Sequence, residues 1–367
     1  LNAETVTSYL QSLSSHYERW WDIYPLTEAI SARQATFTFE PIAQTEERSK
    51  EDPTKKKTEP LPQLLQGIIG YAESAPVLLV GSPGAGKSTT LLRLLAVLAK
   101  QELQKSAPRI PVLIRLKDYQ PSPSGSEDIS GMLGLIKEAL EPELPLEISE
   151  IKTLLFQEKR LFLLLDGLNE IPADVIRNKL TNFREQCKRA KVPLICTTRN
   201  LGDDFSIQRR LDLQPLSPKE IHRFLSECMP GQEQQVLQLL NKGNQELGKT
   251  PFVLWMLYDV SRNLGQVPES LGEAFSRFTK NYTNYKINQE GIPYSQEALQ
   301  NWIFSLEYLA FKMLKSPDPE DPGLIISERQ AANILTQFPS KNAIDLVQSQ
   351  ALLNNLLKYH LLQKTHK

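Results

Sequence analysis

Cysteine and histidine are scarce in this chain of 367 residues, which holds three of the first and four of the second. Cys187, Cys196 and Cys228 stand alone, with no C-x-x-C pair and no histidine-rich tract beside them. That excludes a zinc-ribbon pattern and a disulfide framework, and it fits a reducing cytoplasm. The scattered histidines offer no metal site. An excess of either charge is also missing: the formal net charge is -1, so bulk electrostatics give no sign of a nucleic-acid partner. No apolar run approaches the roughly 18–20 residues that span a bilayer. The first residue is Leu and no charged-then-apolar leader follows it, so no signal peptide is expected. A fixed-period repeat is absent as well, which argues against a solenoid. The length itself allows two or three domains with a sizeable core.

Residues 1–45 are expected to form an N-terminal helical segment. In "ETVTSYLQSLSSHYERWWDIYPLTEAI", Leu10, Leu13, Tyr17, Trp20, Trp21 and Tyr24 fall on or near one stripe. Such a stripe packs on its own domain or serves as a partner surface, the first being commoner. Residues 46–62 lie in "AQTEERSKEDPTKKKTEPLP", rich in charge and proline, which reads as a solvated linker or loop. Its Lys55–Lys57 triplet reads as an exposed face rather than a phosphate site. From 63 to 213 the pattern changes. The apolar runs "APVLLVG", "RIPVLIRL", "RLFLLLDG" and "VPLICTT" alternate with amphipathic helical stretches, the mark of a parallel sheet covered on both faces. "YQPSPSGSED" is a turn-rich insertion. Residues 214–280 read as a helical domain that opens on a capping box, with Ser217 as cap, Pro218 at the first helical position and Glu220 three residues on. Residues 281–367 are again helical, with a second capping box at Ser327 and Gln330.

"VLLVGSPGAGKSTTLLRLL" contains G-x-x-x-x-G-K-S as Gly81, Ser82, Pro83, Gly84, Ala85, Gly86, Lys87 and Ser88. It follows a buried strand and opens a helix, as a phosphate-binding P-loop must. The glycines let backbone amides close around a phosphate, and the helix N-terminus adds a favourable dipole. Lys87 is placed to reach the β- and γ-phosphates, Ser88 to ligate Mg²⁺, and Thr89 and Thr90 to contact the α-phosphate. Asp166 ends the strand "LFLLLD", where a carboxylate can hold the Mg²⁺ shell. Glu170, four residues on, can accept a proton from an attacking water or orient it. Asn169 can only orient water or bond neighbouring backbone. "TTRN" closes a later strand, which in P-loop folds with a glutamate base inserts between the other two. Thr198 and Arg199 then face the γ-phosphate, and Arg199 is a candidate to sense it, or else a surface ion-pair partner.

At "GSPGAGKST", "LLLLDGLNE", "CTTRN" and "KTPFVLWML" the chain resembles the NACHT branch of the STAND nucleotide switches, relatives of AAA+ ATPases and of animal innate-immune NLR receptors. The likeness is specific from about residue 60 to 270. It implies an α/β P-loop NTPase of the ASCE/AAA+ kind, strand order 5-1-4-3-2, followed by helical and winged-helix domains. It also implies that Pro251 packs against adenine or ribose, that ADP holds a closed resting form, and that an activating ligand or protein promotes exchange for ATP and self-association. Bacterial members often act in antiviral defence. Two departures stand out. Asn169 sits where family members often carry an acid, which implies slow or differently supported hydrolysis. The chain also stops before the expected winged-helix histidine, so the last domain is expected to be truncated and the sequence to be part of a longer protein. His360 and His366 are the remaining candidates for that histidine, and His360 lies in an apolar helical pattern that suits a structural role. No N-K-x-D stretch reads guanine, so ATP over GTP rests on the resemblance.

The functional expectation is therefore a cytoplasmic, slow, Mg²⁺-dependent ATPase switch that binds ATP or ADP. A P-loop small-molecule kinase is the alternative, for which "IQRRLDLQPL" supplies only Arg209 and Arg210 as lid cations. A third reading is an interaction scaffold with a structural nucleotide.

Overall fold

The computed structural model describes residues 1–18, 39, 42–48, 56–61, 63–116, 119, 129–170, 180–199, 207, 209–242, 247–290, 304–312, 327–338 and 346–358. The chain divides into two compact units, Leu1–Thr279 and Lys280–Lys367.

Continuous apolar runs become the central strands of the first unit. Helix α1 (Ala3–Glu18) comes first, then β1 (Ala43–Arg48), β2 (Lys56–Leu61), α2 (Leu64–Ser74) and β3 (Val77–Val80). Next come α3 (Lys87–Glu102), β4 (Ile110–Arg115), α4 (Ser130–Leu140), α5 (Ile148–Lys152), β5 (Leu161–Asp166), α6 (Thr181–Ala190), β6 (Leu194–Thr198) and β7 (Arg209–Leu213). The sheet runs β2-β1-β7-β3-β6-β5-β4. Strands β3 to β7 are mutually parallel, and numbered by themselves they give the expected order 5-1-4-3-2. Val77 to Val80 and Leu194 to Thr198 are buried throughout, because helices cover both faces of a parallel sheet.

The sheet departs from the sequence reading at its polar edge. The segment expected to be a solvated linker supplies an antiparallel hairpin, with β1 paired to β2 and to β7. Its charges do not oppose this, because edge strands tolerate lysine and proline, and β2 holds Lys56, Lys57 and Pro60. The register sets Glu47 against Lys57 and Glu46 against Arg210. Strand β7 itself, "RRLDL", carries too much charge to stand out as an apolar run.

Helix α1 packs on its own domain. Val6 and Leu10 are fully buried in the core shared with α3 and the sheet, each contributing about 1.5–3 kcal/mol. The Tyr9 hydroxyl donates to the Pro111 carbonyl on edge strand β4 at 2.9 Å, which blunts that edge. The side chain of Tyr17, and all of Trp20, Trp21 and Tyr24, lie outside the described residues, as does most of the turn-rich insertion.

An ionic staple ties the end of α3 to the start of β4. Glu102, 1 % exposed, accepts from Lys105 Nζ at 2.8 Å, Arg109 N at 2.8 Å and Arg109 Nε at 3.0 Å. Arg109 also reaches Glu73 on α2 at 2.8 Å and lies over the Phe162 ring. Burial alone would raise the Glu102 pKa, but the hydrogen bonds and positive charges of Lys105 and Arg109 outweigh it and hold the carboxyl below its ordinary 4.5.

Beyond the sheet the first unit is helical: α7 (Pro218–Cys228), α8 (Glu233–Lys242), α9 (Pro251–Leu264) and α10 (Leu271–Glu290), the last running past the unit boundary. The capping box at Ser217 forms as read, with Ser217 N donating to Glu220 Oε2 at 2.9 Å and Glu220 N donating to Ser217 Oγ at 3.3 Å. An aromatic column joins the layers, Phe224 stacking on Phe39 at 5.2 Å and meeting Trp255 edge-on at 5.0 Å.

The described part of the second unit is helical, with residues 304–312, α11 (Glu328–Thr336) and α12 (Leu346–Lys358). No strand of a winged helix occurs among these described residues. Leu309, Ala331, Ala332, Leu335 and Leu353 form a small core, and the second capping box forms at Ser327 and Gln330. His360 and His366 lie outside the described residues. Among the described residues no helix is long and apolar enough to cross a membrane.

Candidate functional site: a phosphate loop beside an acidic strand end

The loop between β3 and α3 sits at the carboxyl ends of the parallel strands, beside β7 and β6. Gly84 and Gly86 have φ of 77° and 94°, a left-handed conformation that L side chains rarely adopt. Gly81 has a different need. A Cβ there would meet the Ala85 and Leu213 Cβ atoms at 3.2 Å each, so the loop can lie against β7 only without a side chain. Gly86 caps α3, and a Cβ there would project into open space.

Inside the loop, the Lys87 ammonium donates to the Gly81 carbonyl at 2.8 Å and the Ser82 carbonyl at 3.0 Å. The Ala85 amide donates to the same Ser82 oxygen at 3.2 Å. One inward oxygen thus collects an ammonium and a backbone amide, the donors that a phosphate oxygen takes in such a loop. The donor set therefore fits a phosphate. Ser82, Pro83 and Gly84 are exposed, and Ser88 and Thr89 are half-buried with hydroxyls that form no hydrogen bond among the described residues. Thr90 is buried, and its hydroxyl donates to the Gly86 carbonyl at 2.9 Å, a bond that braces the first turn of α3.

Asp166 ends β5 half-buried. The Thr197 hydroxyl, on neighbouring β6, donates to Asp166 Oδ1 at 2.6 Å and accepts from the Gly167 amide at 2.8 Å. This holds one carboxylate oxygen and leaves Oδ2 without a hydrogen bond among the described residues. Sequence reading pointed to Thr198 and Arg199 and passed over Thr197. The available signal was parity, since a threonine beside a strand-ending aspartate shares its face. Thr198 is buried, and its hydroxyl has no hydrogen-bond partner among the described residues. Asn169 Oδ1 accepts from the Arg199 amide at 3.2 Å, so it ties the turn after β5 to the end of β6. Arg199 is half-buried at that position. Glu170 closes the 3-10 turn Leu168–Glu170, and its side chain lies outside what the structure describes. The hard oxygens of Ser88 and Asp166 are the donors suited to Mg²⁺.

A third element reaches the loop. Thr250 caps α9, Pro251 takes its first position, and the Phe252 amide donates to the Gly84 carbonyl at 3.4 Å. The structure thus brings Pro251 to the phosphate loop from the helical layer. Sequence reading missed Phe252, whose role needs α9 docked on the loop.

The arginines considered as kinase lid cations are engaged elsewhere. Arg209 lies over the Tyr71 ring at 4.3 Å and donates to Ser74 Oγ at 2.8 Å, at the strand end away from the loop. Arg210 forks onto Asp212 at 3.0–3.1 Å.

Residues 75–232, which hold the loop, the acidic strand end and all five parallel strands, match the family model for the NACHT domain. This segment is a NACHT-type P-loop NTPase domain. No curated protein matches the chain. Solved structures that the chain is similar to include Cdc6p of Pyrobaculum aerophilum, 17% identical, covering 82% of this chain and 86% of that chain at a TM-score of 0.38. The ORC2 protein of Aeropyrum pernix, in ADPNP-ADP complexes, is 13% identical over 81% of this chain and 85% of its own, at a TM-score of 0.35. Drosophila ORC bound to DNA gives 13% identity, 80% and 75% coverage and a TM-score of 0.39. The assignment of the NACHT domain rests on the motif and the family match.

Proposed function

We propose that this chain is a STAND-type nucleotide switch that binds ADP or ATP with Mg²⁺, hydrolyses ATP slowly, and uses the bound phosphates to set the position of its helical layer. The observation that carries the reading is the bond from the first turn of α9 to Gly84 of the phosphate loop. A ligand shifts a two-state equilibrium only through its different affinity for the two states. A loop bonded directly to a movable helix supplies that difference.

In this reading Lys87 exchanges its two carbonyls for the β- and γ-phosphates, and the loop amides hold the phosphate oxygens. Ser88 and Asp166 hold Mg²⁺, which neutralises phosphate charge. Thr89 contacts the α-phosphate, Pro251 packs on the base or ribose, and Arg199 senses the γ-phosphate. Glu170 orients or deprotonates the attacking water. Asn169, committed to the Arg199 backbone, cannot act as a base, which supports slow turnover. We assign residues 63–213 to the nucleotide-binding domain, 214–280 to the helical domain and 281–367 to a winged-helix-like domain. We also place the protein in a reducing cytoplasm, on its free thiols, with self-association on activation and a role in signalling or antiviral defence.

The test is a pair of variants. Lys87→Ala should abolish nucleotide retention, and unchanged affinity sinks the assignment. Glu170→Gln should keep ATP binding and lose turnover, and equal turnover removes Glu170 from the chemistry.

A further inference from the structure

We infer that Phe252 is the positioning residue of the phosphate loop, and that through Phe278 it makes nucleotide release depend on the docking of α9 and α10. The inference rests on the reading that this loop binds nucleotide.

The geometry begins with one peptide unit. A trans peptide is planar, so its carbonyl and its amide point in opposite directions. The Gly84 carbonyl is fixed outward by the Phe252 amide at 3.4 Å. The Ala85 amide of that same peptide is therefore turned inward, where it donates to Ser82 O at 3.2 Å. Without an outer partner for the Gly84 carbonyl, the described contact left to hold this peptide against rotation is the Ala85 amide's own bond to Ser82 O, and glycine at φ 77° imposes little restraint of its own.

The bond also serves α9. Pro251 has no amide hydrogen, so Phe252 carries the first unsatisfied donor of that helix. Val253 N is capped by Thr250 Oγ1, and Gly84 O takes the Phe252 donor. The side chain completes the seat. A Cβ on Gly84 would lie 2.7 Å from Phe252 Cβ and 3.3 Å from its Cγ, so the phenylalanine closes the outer side of the loop. Its ring meets Phe278 edge-on at 5.6 Å and Phe275 at 6.3 Å, both on α10. Phe278 is 6% exposed. The chain of contact runs from the inward Ala85 amide through Gly84 O and Phe252 to Phe278, entirely within the first unit.

A residue that only stabilises the fold would change the folded fraction and leave the release rate of the folded molecules alone. A positioning residue changes the release rate itself. The experiment is stopped-flow release and binding of a fluorescent ADP analogue on the full chain, with Lys87→Ala as the reference for loss of the site. Phe252→Ala and Phe278→Ala should each speed release about tenfold, the scale of one aromatic pair, with association within about twofold of wild type. The double variant should release no faster than either single variant, because both break one path. Phe252→Leu, which keeps most of the volume but no ring to meet Phe278, should still speed release about threefold, and it serves as the test if the alanine variants do not fold. Release from Phe252→Ala, or from Phe252→Leu in its place, at the wild-type rate overturns the inference while leaving nucleotide binding intact. Additive effects in the double variant overturn the link through Phe278. A wild-type chain that holds no nucleotide, like Lys87→Ala, overturns the underlying reading and the inference with it.

Discussion

Replacing Thr197 with valine removes one hydroxyl and leaves the shape nearly unchanged, yet the structure makes that hydroxyl the link between the half-buried Asp166 carboxylate and the buried Gly167 amide. It donates to the Asp166 carboxylate at 2.6 Å and accepts from the Gly167 amide at 2.8 Å, and Thr197 is 1% exposed. A hydrogen bond to a charged group contributes about 1.5–3 kcal/mol, and a buried amide left without an acceptor costs about 1–3 kcal/mol. The added methyl of valine offsets about 0.8 kcal/mol. The net expectation is a loss of about 2–5 kcal/mol, or roughly 3–9 °C in melting temperature for a unit of this size. Thr197→Ser keeps the hydroxyl and should lose about 1 kcal/mol, the contribution of a methyl group. The assay is thermal unfolding followed by circular dichroism, without nucleotide. The same variant should raise the Mg²⁺ concentration for half-maximal ATP turnover by about 10–100-fold, because Asp166 loses the neighbour that orients it. A Thr197→Val protein that melts with wild type, or a serine variant as damaged as the valine one, would refute the reasoning.

Glu102→Gln should destabilise the first unit by about 3 kcal/mol at neutral pH, since it leaves Arg109 and Lys105 without their buried carboxylate. The folded pKa of Glu102 lies below its ordinary 4.5, so its contribution is complete above that value and fades as pH falls through the folded pKa. Urea titrations should therefore show wild type and variant converging in acid, and a constant gap down to pH 3 would count against the staple. Cys187 and Cys196 are buried, and burial pushes the Cys196 thiol up to about 12 and Cys187 higher still. Native protein should expose one thiol, Cys228, to a disulfide reagent at neutral pH, with all three reacting in denaturant; fast labelling of three in the native state would contradict this packing.

Much of the site was legible because its chemistry is local. The glycines, Lys87 and Ser88 fall in one run, and Asp166 ends a strand of five apolar residues whose burial that run already implies. Both capping boxes were equally readable, since the partners stand three residues apart. The hairpin β1–β2 and strand β7 were not, because pairing to a sheet edge is a non-local gain that leaves no apolar pattern in "TEER", "KKTEP" or "RRLDL". The partners of Thr197, Asn169 and Phe252 were hidden for a related reason. Each bonds a residue brought near by the fold: Thr197 to the neighbouring strand, Asn169 to the Arg199 amide, and Phe252 to a glycine far back in the chain. Sequence named the right strand end in "CTTRN" and chose the residue next to the one that holds Asp166.

The most direct test of the account is the identity of the nucleotide released when the purified protein is heat-denatured. Tightly held ADP, in a ratio near one per chain and absent from Lys87→Ala, is the predicted result for a resting switch. An empty wild-type chain that turns over ATP only when a small acceptor is added would contradict it.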